Sequence, residues 1–229
     1  MPSPGESRAA LQLLTGEAVG TAQEILARTR GPAELRRLAL LESGVELIAY
    51  YSEGSAVLAA DFYEEERETA GVRTPFVPEL VVTDRVVAQR RGIAWAAEPL
   101  FGEDQDAALA LAVSRLAEVV QPEVARPYRD TVTINRQRDP ASVGWRRITN
   151  GGCRFCRMLA DRGAIYREAT VRFAAHPNCH CTAQPVFDVN DTGETASVIQ
   201  YKASRRSRTP AQRAELRAYL DEFYGPDPH

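Results

Sequence analysis

Residues 153–181 read CRFCRMLADRGAIYREATVRFAAHPNCHC, and they hold all four cysteines of the 229-residue chain with two of its three histidines. As a spacing this is C-x2-C-x19-H-x2-C-x-C, with His180 set between the last two cysteines. A C-x2-C turn places two thiolates on one knuckle, and H-x2-C or C-x-C can supply the other half of a tetrahedron. Five side chains therefore compete for the four places of a structural zinc site: Cys153, Cys156, His176, Cys179 and Cys181. Pro177-Asn178 favours a turn that brings His176 and Cys179 together. Two disulfides, thiols that merely pack, or a former metal site held by hydrogen bonds are the other readings of the same spacing.

The flanks of this stretch predict a small α+β unit over 141–188. Gly144, Gly151 and Gly152 loosen the chain around Trp145, and 158–162 suits a short helix. ATVRFAAH and TAQPVFDV are β-prone runs on either side of the second ligand pair, and they predict a hairpin. Residues 189–209 are polar and end in SRRSRT, as a linker does. A last helix over 210–225 is capped by Thr209 with Pro210 at its first turn, and it puts Leu216, Leu220 and Phe223 on one side.

Upstream, residues 5–140 read as a helical domain. Leu11, Leu14, Ala18, Ala22, Ile25 and Leu26 recur at steps of three and four up to Gly31-Pro32. Leu38, Leu41, Val45, Ile48, Ser52, Ser55, Ala59 and Phe62 continue that alternation along a second, long helix closed by Gly71. Pro75 and Pro78 make 72–80 an extended connector. A third helix is predicted over 81–97 and a fourth after Asp104, with Leu109, Val113, Leu116 and Val120 on one face. Pro122 and Pro127 can each stand in a first helical turn, and Pro140 limits the polar, basic segment before it. The expected fold class is α+β, predominantly α: a helical N-terminal bundle, a cysteine-clipped α+β unit and a C-terminal helix.

The chain has the 44% hydrophobic and 26% charged content of an ordinary globular protein. With no run of eighteen apolar residues and no signal-peptide layout at its start, it is expected in a cytoplasm, away from membranes, with thiols reduced. Among 28 basic residues only Lys202 is lysine, a bias that high-GC coding produces, as in actinobacteria and their phages. Charge is split: residues 1–120 carry 11 basic against 19 acidic side chains, and residues 121–229 carry 17 against 12. A cationic half can meet phosphate or acidic protein surface, whereas the acidic half cannot attract DNA by its field. Arg146, Arg147, Arg154 and Arg157 are the candidate nucleic-acid contacts beside the cysteines.

The run TVTINRQRDPASVGWRRITNGGCRFCRMLADRGAIY, followed by HPNCHCTAQPVF, resembles the C-terminal domain of MuF-like phage minor head proteins. The matching positions are Asn135, Trp145, Cys153, Cys156, His176, Pro177, Cys179 and Cys181, within residues 128–188. His180 departs from the family, which often has arginine there, and so removes a cation beside the cluster. The resemblance implies a component of a tailed double-stranded DNA phage virion, inside the head in few copies. It also implies assembly in the host cytoplasm, a portal or major capsid protein as partner, and in some members contact with packaged DNA.

Two rival functions are weighed on residues. Proteins of this sort are sometimes labelled capsid maturation proteases, but His176 and His180 lie in the clip and His229 is the last residue. A serine–lysine dyad has only Lys202, and there is no G-x-S-x-G elbow or H-E-x-x-H helix. A zinc-module nucleic-acid-binding protein could use the four arginines, yet it would not need so large an acidic half. A binding protein with no catalytic residue is the expectation.

Overall fold

The computed structural model describes residues 4–149, 153–161, 166, 173, 175, 179–191 and 209–225. Four helices form the body: α1 Pro4–Arg28, α2 Ala33–Thr69, α3 Val86–Ala97, which runs on into a 3-10 turn over Glu98–Phe101, and α4 Gln105–Arg138. Then come β1 Gly144–Ile148, α5 Arg154–Asp161, β2 Thr182–Val186 and α6 Pro210–Tyr224. The helix stops fall where chain chemistry puts them. Gly31 and Gly71 take φ of 106° and 69° just beyond α1 and α2, a region that costs an L side chain strain. Asp104 starts α4 by accepting from Ala107 N at 3.1 Å, and Thr209 and Gln212 form a capping box on α6.

α1 lies antiparallel to α2, with Leu14 against Gly54 and Thr21 Oγ1 3.4 Å from Tyr51 Oη. α4 runs alongside both. Small side chains line the seams: Ala18, Ala22, Ala56, Ala59, Ala112 and Ala125 are at most 2% exposed. Larger residues such as Leu26, Ile48, Ile93, Leu116 and Val124 fill the core between them, each contributing about 1.5–3 kcal/mol by leaving water. The expected face of α2 is shifted at its start: Leu38 is exposed and Leu40 takes the inward place. Pro122 and Pro127 lie inside α4, which continues through them. α3 starts later than expected because 81–85 stays extended, with Val81 N donating to Thr131 Oγ1 at 3.0 Å and Asp84 Oδ1 accepting from Val86 N at 3.0 Å.

A second core crosses residue 140. Leu11, Phe62, Tyr63, Tyr128 and Val132 of the helices pack with Trp145 of β1 and Ala183 of β2. β1 and β2 pair antiparallel, Trp145 opposite Pro185 and Arg147 opposite Ala183. The described partner of 182–186 is 144–148, which the sequence reading does not name as a strand; the expected hairpin of 182–186 with 169–176 lies outside the described residues but for Phe173 and Ala175. α6 rests on α5 through Leu216, Tyr219 and Leu220 against Phe155, Met158 and Leu159, with an Arg154–Asp221 ion pair.

The α3–α4 crossing depends on a missing methyl. A Cβ at Gly92 would lie 2.9 Å from Val119 Cγ1 and 3.3 Å from Cγ2, whereas Gly16 and Gly20 of α1 have nothing within 4 Å. Gly16→Ala and Gly20→Ala should therefore each raise stability by about 0.5–1 kcal/mol, the helix-propensity gain. Gly92→Ala should lower it by about 1–2 kcal/mol, since overpacking outweighs the same gain. Chemical denaturation of the three variants checks the opposite signs.

Candidate metal centre

The cluster is assembled from three directions. α5 brings Cys156 in its first turn, with Cys153 just ahead of the helix, its carbonyl accepting from Arg157 N at 2.9 Å. The segment entering β2 brings Cys179 and Cys181. Cys156, Cys179 and Cys181 are each 2% exposed, and their sulfurs all lie within 4.8 Å of one another. Cys153, half-buried, packs against the three. All four are thiols rather than disulfides. His176 lies outside the described residues, and His180 points outward, exposed between its two cysteines.

The sulfur spacing discriminates among the readings. Cys156 Sγ and Cys179 Sγ are 3.8 Å apart, far beyond the S–S bond of about 2.05 Å. A tetrahedron with metal–sulfur bonds of about 2.3 Å has an edge of about 3.8 Å. The Cys156–Cys179 pair thus matches one edge of such a tetrahedron, and Cys181 lies close enough for a third corner. Hydrogen bonding within the cluster also divides the thiols: bonds with Cys179 and Cys181 push the Cys156 thiol up, and bonds from Cys156 and Cys181 pull Cys179 down, toward thiolate.

Two arginines surround the sulfurs. Arg147 on β1 is 4% exposed, with Nη1 3.8 Å from Cys156 Sγ and 4.0 Å from Cys179 Sγ. Arg129 on α4 is 3% exposed and donates to the Cys179 carbonyl at 2.5 Å and the Cys181 carbonyl at 3.0 Å. Gln121, two turns earlier on α4, donates to the Cys179 carbonyl at 3.0 Å. The Phe173 ring lies 3.9 Å from the Arg147 guanidinium and 5.0 Å from that of Arg129. Trp145 stacks on Phe173 at 5.5 Å and on Tyr166 at 4.3 Å, and so closes the apolar side.

Of the four arginines expected at nucleic acid, Arg147 therefore faces inward and is engaged with sulfur. Arg146 pairs with Asp191 and Arg154 with Asp221, both at least partly exposed, and Arg157 is half-buried on α5. Sequence reasoning misses Arg129 because its polar, basic segment suggests a solvent face, and Gln121, ahead of that segment, carries no signal of its own. The signal that could find Arg129 is helical spacing: Tyr128 and Val132 are its apolar neighbours in a helix that has to be buried. Asn135 has a bracing role, its amide bonding both Glu79 N and Glu79 O at 2.8 Å and fixing the connector on α4.

Fold and site together define a mostly helical protein with a buried cysteine centre clamped to α4. By sequence the chain belongs to the VG15 protein family, a family of phage proteins, which matches residues 5–205. Comparison with curated proteins and with solved structures finds no match in either. Among the described residues no helix is long and apolar enough to cross a membrane.

Proposed function

We propose that this protein is a minor head component of a tailed double-stranded DNA phage, of MuF-like type, which works by binding inside the head near the portal. The observation that carries the reading is membership of a phage family over residues 5–205, joined to the HPNCHC segment at the cysteine centre. In this reading the centre holds a structural zinc through cysteine thiolates and has no open catalytic position. Burial of Cys156, Cys179 and Cys181 at 2% exposure supports it, because a peptide bond cannot reach those sulfurs. The partners are portal or major capsid protein, met by the helical surface. Packaged DNA is met by the arginine-rich half through Arg146, Arg154 and Arg157.

Mass spectrometry of purified virions should find the protein in low copy, and the tagged chain should retain the portal or capsid-shell protein of its own phage. Absence from particles, or specific cleavage of capsid or scaffold protein that vanishes on changing one serine, cysteine or histidine, would overturn the proposal. For DNA, glutamine at Arg146, Arg154 and Arg157 should reduce the slope of log affinity against log salt by about one for each phosphate no longer neutralised.

A further inference from the structure

We infer that Arg129 and Arg147 are the charge partners of the metal centre, and that their two charges select Cys153 over His176 as its fourth ligand. The inference rests on the zinc reading proposed above and goes on to fix the ligand set. A divalent ion held by four thiolates carries a net charge of −2. With three thiolates and a neutral imidazole it carries −1. Both guanidiniums are 3–4% exposed, and a guanidinium is a permanent cation in proteins. A buried cation costs several kcal/mol unless an opposite charge lies close to it. Two such cations around one centre match the −2 of the four-thiolate set, and the imidazole set offers them one negative charge fewer.

The geometry assigns each arginine a separate task. Arg147 points its Nη1 at the sulfurs of Cys156 and Cys179, where a guanidinium can hydrogen-bond to metal-bound thiolate. Arg129 grips the carbonyls of Cys179 and Cys181, and so sets the turn that presents both sulfurs. Phe173 lies over both planes and keeps water from screening them. Cys153 is already packed against the cluster of the other three cysteines, just ahead of the first turn of α5. Arg129 also belongs to α4, so the centre is bound into the helical body by a residue that precedes every cysteine in the sequence.

Full-length protein produced with cobalt in place of zinc provides the test, because sulfur-to-cobalt charge transfer grows with the number of thiolates. Wild type and His176→Ala should show the same four-thiolate spectrum, and Cys153→Ser should lose about a quarter of the charge-transfer intensity. Arg129→Gln and Arg147→Gln should each weaken zinc, measured by chelator competition, about 10- to 100-fold. Arg147→Lys, which keeps the charge, should recover part of that loss, and it keeps the comparison readable if a glutamine variant folds poorly. A three-thiolate spectrum in wild type, a loss with His176→Ala but not Cys153→Ser, or unchanged affinity in both glutamine variants would overturn the inference alone. Wild type that takes up no cobalt or zinc would overturn the zinc reading itself, and this inference with it.

Discussion

Asp139→Ala should lower the stability of the protein by about 3–5 kcal/mol, the range for breaking a buried ion pair by removing one partner. The Asp139 side chain is fully buried and its partner Arg67 is 7% exposed. One carboxylate oxygen takes the Arg67 guanidinium and the Tyr63 hydroxyl, the latter at 3.2 Å, and the other accepts from Ala141 N at 3.0 Å. Arg67 is further enclosed by the Thr74 carbonyl and by the rings of Phe76 at 5.2 Å and Phe187 at 5.8 Å. This joins the end of α2, the end of α4 and the chain leaving β2 at one point. Burial and the neighbouring carboxylate push the Tyr63 phenol up, so it stays a neutral donor. Alanine leaves a guanidinium buried without its counter-charge, which is the costly part. Arg67→Met combined with Asp139→Leu should therefore recover much of the loss, because apolar pairs of similar volume often replace buried ion pairs without penalty. Urea unfolding of the two single variants and the double variant measures this. A loss under about 1 kcal/mol for Asp139→Ala would mean that the carboxylate has no such role.

How much of the fold and the centre is legible in the sequence follows from which residues obey simple patterning. The long helices α1 and α4 do, because Leu11, Ala18, Ala22 and Leu26, or Leu116 and Val120, repeat at the helical period and are buried. So do the stops at Gly31 and Gly71 and the cap at Thr209. The cysteine spacing announces a clustered site, and three of the sulfurs converge. β1 does not announce itself, since its two most buried side chains are Trp145 and Arg147. A strand whose inward residues include an arginine defeats any count of alternating apolar residues. The same inversion hides Arg129. Both arginines are inside because of what the cysteines need, and that need exists only once α4, β1 and residues 179–181 have come together. Local patterning carries no trace of a tertiary charge balance.

Replacing both Cys153 and Cys156 with serine, or stripping metal with a strong chelator, should collapse the unit around β1, α5 and β2. Structural zinc supplies about 10–16 kcal/mol of apparent binding energy in small zinc-finger units, and a centre without two ligands cannot keep it. Segments 179–181 and 153–156 meet through the sulfurs and through Arg147, while Gln121 and Arg129 hold 179–181 on α4. The damage should reach only part of the helical body. Trp145 and Ala183 share a core with Tyr63 and Tyr128, so that end of the bundle loosens. The other end, around Leu26, Ile48 and Ile93, belongs to a separate core and should remain helical. The two tryptophans separate these outcomes. Trp145 stacks on Tyr166 and Phe173 beside the centre, whereas Trp95 lies in α3 under the Arg115 guanidinium at 4.6 Å. In Trp95→Phe protein, fluorescence should shift red on chelation; in Trp145→Phe protein it should hardly move, and most helical ellipticity should survive in both. Metal analysis should find about one zinc per chain before treatment. Sub-stoichiometric metal with the thiols recovered as disulfides would replace the metal clip by a covalent one. The Cys156–Cys179 distance of 3.8 Å would then have to close by almost half.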